Sequence, residues 1–405
     1  MSLDKIKPIL ADQLAGLKAK GILKGQEKIV IGMKPSEDGY SQRYKLEGYG
    51  DRAFLRMNSN SYLGLALHPD VIEAESRASE LFGTGPGAVR FISGTYQPHI
   101  LLEQKLAAFH QRESALIMSA AYATVMGVLP QFISEDTLVI SDALNHNCII
   151  NAIRLSRPSG KAVYPHLDMT VLNKTLAENK GKASRAIVIT DGIFSMRGDY
   201  APLDKIADIC KRHEKDYAEG IITIVDDSHG VGAFGKTGRG TEEYTNTRAD
   251  ILIATLGKAL GVNGGYVVSG STVINYLRET APFYIYSNPV TPGEAAAAVK
   301  SLEILDSPEG LKLLDRMRNL SVRLRKGLEE LGFEIINGDH PIVPVLVRDT
   351  EKTSALVKYL FENNILVTGL NYPVVPQGEE EIRLQVSASH TEADIDYLLD
   401  VLKKF

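Results

Sequence analysis

The sequence predicts an α/β protein: a large domain on a mostly parallel central sheet, followed by a smaller α/β C-terminal domain. Three observations lead there. The middle of the chain carries short, near-continuous apolar runs rich in β-branched residues, as strands buried on both faces do. Amphipathic helical stretches separate those runs, so successive strands can run parallel through crossovers. After "SNPVTPGEAAAAVKSLEILD" the texture changes, and a helical stretch from about 293 to 331 leads into a second series of strands and helices.

Taken in order, residues 1–55 hold helix and hairpin-like pieces but no βαβ unit, and are expected to pack with the small domain. Lys5, Lys7, Lys18, Lys20 and Lys24 are interrupted by Asp and Leu at helical spacing, which predicts a solvated amphipathic helix rather than a nucleic-acid or membrane patch. The large domain spans 56–292. Its strands are "TLVISD" (137–142), "AIVITDG" (186–192), "IITIVDD" (221–227), "ILIATLG" (251–257) and "GYVVSG" (265–270). Between them "PLDKIADICKRHEK" (202–215) reads as a helix with Pro202 near its start, where a missing N–H costs nothing. The small domain, 293–405, contributes "FEIINGDHPIVPVLVRD", "NILVTGL" and "EIRLQVS". In such a sheet, ligands are expected beyond the carboxyl ends of the strands.

Bulk properties exclude several function classes. A net charge of -5 is opposite to the basic balance of a nucleic-acid binder. No apolar run reaches the roughly 18 residues of a membrane span, and the N-terminus lacks the apolar core and cleavage site of a leader. Cys148 and Cys210, the only cysteines, fit neither a disulfide framework nor a zinc spacing. The expectation is a cytoplasmic protein without a metal, a membrane span or a nucleic-acid partner.

"VDDSHGVGAFGKTGRG" (225–240) offers competing readings. Gly230 to Thr237 spell G-x-x-x-x-G-K-T, and Gly230, Gly232 and Gly235 spell G-x-G-x-x-G. Either phosphate-binding reading needs a helix opening at the loop, so that amides and helix dipole converge on the phosphate. Here Gly238 and Gly240 follow Lys236–Thr237, and each costs about 1 kcal/mol in a helix relative to alanine. Asp226 and Asp227 would also set negative charge near the phosphates. A glycine-rich turn between strands is the better reading, although Asp250, twenty residues past Gly230, keeps the dinucleotide option open.

Asp226 and His229 then need another task. A carboxylate ending a buried strand stays ionised only with a cationic partner, and a protonated pyridine nitrogen is one; a plain cap or salt bridge is the alternative. Lys258, after the next buried strand, has no acidic residue within several positions. A poorly solvated amine there loses its proton readily, the condition for a Schiff-base lysine. Pyridoxal phosphate needs this pair, a lysine for its aldehyde and an acid for its ring nitrogen. Thr255 can offer a hydroxyl to a phosphate, and Gly257, Gly261, Gly264 and Gly265 leave room for a flat ring. In "IMSAAYATVMGVL" (117–129) the amides of Ala121 and Tyr122 could meet a phosphate at a helix N-terminus, or simply begin a buried helix. His146 in "SDALNHNCII" could stack on a ring, or be structural.

These residues carry a resemblance. With "NSNSYLGLALHPDV" (58–71), "GAVRFISGT", "LEQKLAAF", "SDALNH", "TDGIFSM", "TLGKALG" and "RLQVSASHT" (383–391), the chain resembles the α-oxoamine synthases, fold-type I pyridoxal-phosphate enzymes that join an amino acid to an acyl thioester. The resemblance implies that Lys258 takes the cofactor's aldehyde, Asp226 pairs with its ring nitrogen and His229 hydrogen-bonds its phenolic oxygen. It implies that His146 stacks on the ring with Ser195 beside it. Ala121, Tyr122 and Thr255 would hold the phosphate, joined in a homodimer by Ser287 of the partner subunit, and Asn60 and Arg383 would bind the substrate carboxylate. "VTGLNYPVVPQGEEEIRLQVSASHT" (367–391) is nearest the branch that condenses glycine with acetyl-CoA to an amino ketone such as 2-amino-3-oxobutanoate. Branches with longer acyl donors or larger amino acids share the site, and an aminotransferase or a non-catalytic regulatory binder of the cofactor are rivals of other kinds. Four positions depart from the family pattern: Val125 for Asn, Cys148 for Ser, Arg197 for an acidic residue and Ala281 for Arg. None removes a catalytic group; they bear on the acyl donor.

Overall fold

The computed structural model describes residues 3–20, 23, 27–372 and 375–405; Lys24 of the N-terminal lysine series lies outside them. Helix α1 (Leu3–Ala19) opens the chain without one buried residue. Its lysines are solvated as the spacing predicts, and so are Leu3, Ile6, Ile9, Leu10, Leu14 and Leu17. Strands β1 (Val30–Lys34), β2 (Arg43–Leu46) and β3 (Ala53–Arg56) follow as an antiparallel meander. Helices α2 (Pro69–Phe82) and α3 (Gln97–Phe109) then lead into the central sheet.

That sheet is wound from β4 (Ser114–Met118), α4 (Ala121–Val128), β5 (Thr137–Asp142), α5 (Asn147–Leu155), β6 (Gly160–Tyr164), α6 (Met169–Glu178) and β7 (Arg185–Asp191). It continues through α7 (Leu203–His213), β8 (Ile221–Asp226), the single turn α8 (Thr241–Tyr244), β9 (Ile251–Thr255) and β10 (Gly265–Ser269). The strand order is β4-β10-β9-β8-β7-β5-β6. Every residue of β5 is buried, which is why its sequence is apolar on both faces. β10 alone runs against its neighbours β4 and β9. Only residues 256–264 separate it from β9, too few for the crossover that a parallel return requires.

Helices α9 (Ser271–Thr280), α10 (Pro282–Ile285), α11 (Pro292–Leu305) and α12 (Pro308–Glu330) come next. The helical stretch read as continuous from 293 to 331 is broken. Ser307 caps α12 by accepting from the amides of Glu309 and Gly310, and Pro308 takes the first helical position. α11 packs on α2 and α3, and its Ala295, Ala298 and Leu302 join the core of the central sheet. β11 (Ile342–Leu346), α13 (Thr350–Glu362), β12 (Ile365–Leu366), β13 (Thr368–Leu370), β14 (Glu381–Gln385) and α14 (Glu392–Leu402) complete the chain.

The last part forms a three-stranded antiparallel sheet, β11-β14-β13, over a separate apolar cluster that includes Leu320, Leu324, Leu356, Leu384 and Leu398. β3 pairs with β12 in parallel, Leu55 against Ile365, so the N-terminal meander is tied to this C-terminal layer. A division into 1–55, 56–292 and 293–405 is our proposal for the chain's organisation. On it, α12 bridges the two cores, with Leu314 and Met317 in the first and Leu320, Leu324 and Leu328 in the second. Among the described residues no helix is long and apolar enough to cross a membrane, and no cluster of His, Cys, Asp or Glu could hold a metal ion.

Candidate active site

The carboxyl ends of β5, β7, β8 and β9 bring Asp142, Asp191, Asp226 and Thr255 to one edge of the sheet. The glycine-rich stretch after β8 is a turn. No helix begins at Lys236; the chain goes through Gly232, Gly235, Gly238 and Gly240, all with positive φ, and helix starts only at Thr241. Asp227 is the pin of this turn. Fully buried, it accepts from the Thr241 amide at 2.6 Å and the Thr241 hydroxyl at 2.7 Å. Burial pushes its carboxyl up to about 7, against those two donors. A Cβ at Gly192 or Gly230 would stand 2.1 or 2.0 Å from Asp227 Oδ1, so both backbones can approach only as glycine.

Asp226 faces the other way. Its Oδ1 accepts from the Ser228 amide at 3.1 Å, and its Oδ2 lies 3.7 Å from the Cys148 sulfur. Lys258 follows β9, and burial pushes its amine down to about 8, while the Asp226 and Asp191 carboxylates pull the other way and Arg383 lowers it further. The Lys258 amine and the Asp226 carboxylate lie within electrostatic reach of each other. His146 caps α5, and its Nδ1 accepts from the Cys148 amide at 3.3 Å. Nδ1 then carries no proton, and the neutral ring presents Nε2–H. Burial lowers the proton affinity of His146, partly offset by Asp226. Its ring meets Tyr122 edge-on, with centroids 6.3 Å apart.

The opposite wall comes from β14 and the segment after β3. Asn60 Oδ1 accepts from Gln385 Nε2 at 2.9 Å and from Arg383 Nη2 at 3.2 Å. Arg383 Nε is buried with no acceptor, a donor left for a ligand. His229 Nδ1 lies 2.7 Å from the Tyr62 hydroxyl, and the His229 carbonyl accepts from His340 Nε2 at 2.8 Å. Burial, with Lys258 and Arg383 nearby, holds His229 neutral.

At the sheet's other flank α4 begins at Ala121 with no side chain capping its amides. Gly265, the register partner of Thr255, lets that N-terminus rest on the sheet; a Cβ there would come within 2.4 Å of the Ala121 nitrogen. Ala121 and Thr255 thus meet at one uncapped helix start. The Thr255 hydroxyl donates to the Gly264 carbonyl and accepts from the Gly257 amide. Tyr122 is turned to Asn147, donating to its Oδ1 at 2.9 Å. Ser195 stands with Asn145 on the rim of a cavity of about 440 Å³ that also takes in Phe194, Arg197, Arg348 and Glu381. Ser287, just past α10, hydrogen-bonds none of these residues within the chain.

Asp191, Tyr62, Gln385 and Glu381 were not singled out from the sequence. Asp191 is buried and its Oδ2 accepts from the His146 amide at 3.0 Å; burial, then Asp226, push its carboxyl well up. Its signal was available: it ends an apolar run just as Asp226 does. Glu381 precedes Arg383 by two on the same strand face, is 3 % exposed, and leaves Oε1 without a donor.

A family model described as aminotransferase class I and II matches residues 52–402. The chain is 39 % identical over 347 residues to 8-amino-7-oxononanoate synthase of Geobacter sulfurreducens, covering 85 % of this chain and 87 % of that one. It is 37 % identical over 398 residues to the mitochondrial 2-amino-3-ketobutyrate coenzyme A ligase of Homo sapiens, covering 98 % and 91 %. Serine palmitoyltransferase of S. paucimobilis, solved with bound PLP and myriocin, superposes with a TM-score of 0.87 at 25 % identity, covering 99 % of this chain and 97 % of that one.

Proposed function

Since the chain belongs to the aminotransferase class I and II family, and within it to the α-oxoamine synthases, which depend on pyridoxal phosphate, we propose that it condenses glycine with acetyl-CoA to 2-amino-3-oxobutanoate, releasing CoA. The observation that carries the chemistry is the desolvated Lys258 amine beside Asp226, with Arg383, whose Nε has no acceptor among the described residues, within electrostatic reach of the amine. What favours the small substrates is the motif "VTGLNYPVVPQGEEEIRLQVSASHT" together with the end-to-end match to the human ligase.

The residues present fit the cofactor. The uncapped amides of Ala121 and Tyr122 offer donors to a phosphate, as a helix N-terminus does, and the Thr255 hydroxyl would join them by turning from the Gly264 carbonyl. Asp226 would hold the ring nitrogen, His146 would stack on the ring with Ser195 beside it, and His229 would hydrogen-bond its phenolic oxygen. Bound there, the cofactor supplies an electron sink that acidifies the Cα–H of an amino acid. Arg383 and Asn60 orient that amino acid by its carboxylate, for which a guanidinium fork is suited. Lys258 Nζ, with its proton affinity lowered to about 8, takes the Cα proton near neutral pH and returns it later. His146, as the Nε2–H tautomer, donates to the thioester oxygen as charge develops on it.

The enzyme is proposed to work as a homodimer in the cytoplasm, with Ser287 of the partner subunit completing the phosphate site. The uncovered apolar stripe of α1 and the exposed Ile29, Val30, Ile31 and Met33 support an intersubunit cover. One specific observation favours a second reading: 8-amino-7-oxononanoate synthase matches as well as the ligase does, and its named product is a longer chain. A grid of amino acids against acyl-CoA lengths, following thiol release, separates the two. Release only with glycine and acetyl-CoA supports our reading; faster release with longer chains replaces it; none from any pair defeats both.

A further inference from the structure

Cys148, which stands where the family carries serine, lies between two groups of the site. Its sulfur is 2.9 Å from His146 Nδ1 and 3.7 Å from Asp226 Oδ2, and its amide also reaches Nδ1. The residue is 2 % exposed and sits in an apolar cluster with Ile149, Ile187, Ile189 and Ile224. Burial, then the Asp226 and Asp191 carboxylates, raise its thiol far above the ordinary range, so it stays protonated and unreactive. It can only donate. Both atoms within its reach are acceptors: Nδ1 already receives an amide N–H, and Oδ2 is a carboxylate oxygen with no other donor among the described residues.

We propose that Cys148 is a positioning residue: its S–H donates to Asp226 Oδ2 and braces that carboxylate opposite the ring nitrogen, while its amide donates to His146 Nδ1 and its sulfur packs against the ring, fixing the His146 tautomer and plane against the cofactor. The role rests on the reading above, in which those two residues hold pyridoxal phosphate. A thiol is a weaker donor than a hydroxyl. It braces Oδ2 while leaving the carboxylate most of its charge for the ring. Among the described residues no other side chain does this: Ser228 gives Asp226 only its amide, on the far oxygen.

The test uses the full-length protein and two substitutions. Cys148→Val fills the space without a donor, and Cys148→Ser supplies a donor in less space. Two quantities are read: the dissociation constant for pyridoxal phosphate added to apoprotein, and the pH midpoint of the bound cofactor's visible absorption. The charged and titratable groups facing the position are Asp191 on β7, Asp226 on β8, His146 at its own helix cap and Lys258 after β9; all stay in both variants. Cys148→Val should weaken binding roughly 3- to 10-fold, the loss of one buried hydrogen bond, and displace the midpoint by roughly half a unit. Cys148→Ser should stay within about 2-fold of the parent with its midpoint unmoved. A valine variant like the parent in both readouts, or a serine variant displaced as far as valine, overturns the proposal, the second because it traces the effect to packing. Thermal unfolding of the apoproteins shows whether either variant is folded. If the parent itself takes up no cofactor, the underlying reading has failed; if it does and valine changes nothing, only the role of Cys148 has.

Discussion

Asp191 and Asp226 end neighbouring parallel strands as direct register partners, both buried, so two carboxyl groups stand side by side at the edge of the sheet. Two such groups cannot both ionise cheaply in a dry site. Burial, then the Asp226 carboxylate, push the Asp191 carboxyl well above the usual carboxylate range, and an amide N–H from His146 is its hydrogen-bond partner. A neutral side chain of the same shape should then serve at 191 but not at 226. Asp191→Asn is expected to hold cofactor affinity and turnover within about 3-fold, since its amide oxygen can still accept from His146. Asp226→Asn is expected to lose roughly 100-fold or more in turnover, because the ring nitrogen loses its counter-charge. Equal losses in the two variants would contradict the division of roles.

Lys258 gives a prediction in pH. Its amine, lowered to about 8 by burial, gains a proton below that value and is free above it. The rate at which apoprotein takes up pyridoxal phosphate covalently should rise with pH and level off above about 8, where an exposed lysine would go on rising to about 10.4. Lys258→Ala should lose both the visible absorption of the bound cofactor and turnover, the latter by on the order of 1,000-fold. A mutant with normal activity, or uptake still climbing at pH 10, refutes the assignment.

Glu381 carries a prediction about stability. Burial raises its carboxyl to about 7, with Arg383 and Arg197 opposing. Its folded pKa thus exceeds its unfolded value near 4.5, so the native state binds more protons between those values. The contribution is fully present below the lower value and is lost as pH rises through about 7. Glu381→Gln cannot ionise. Measured by urea unfolding of apoprotein, the variant should match the parent near pH 4.5 and be the more stable by on the order of 2 kcal/mol above pH 8. A difference that does not change with pH would show that the Glu381 carboxyl ionises normally.

The parts of this site legible in the sequence are those that local pattern marks. Asp226 and Lys258 each close an apolar run, so the strand ends announced them, and Gly238 and Gly240 forbade the helix that a phosphate loop needs. The α/β class was legible for the same reason. What stayed hidden depends on contacts across long stretches of chain. Tyr62 reaches His229 over 167 positions and Gln385 reaches Asn60 over 325, and no spacing encodes either pair. β10's reversed direction was implicit in its short connection. The α11–α12 break was also written locally, in Ser307–Pro308, but two good helix-forming stretches masked it. Asp191 was overlooked beside Asp226 because a second acid at the same edge has no separate motif.

Arg383 tests the substrate side independently of the cofactor's lysine. Asn60 holds one guanidinium nitrogen at 3.2 Å, while the buried Nε finds no acceptor among the described residues. A buried donor without an acceptor is costly, and an amino-acid carboxylate would satisfy it with a charge-assisted bond. Arg383→Leu should therefore raise the Michaelis constant for the amino acid by roughly 10- to 100-fold, the loss of a charge-assisted pair, and that for acyl-CoA by less than about 3-fold. Arg383→Lys keeps the charge but not the planar fork, so it should recover only part of the affinity. Binding of the amino acid can be followed by the change it causes in the cofactor's absorption, without acyl-CoA present. Were both constants to rise together, Arg383 would be supporting the site as a whole, and the carboxylate would have to be held elsewhere.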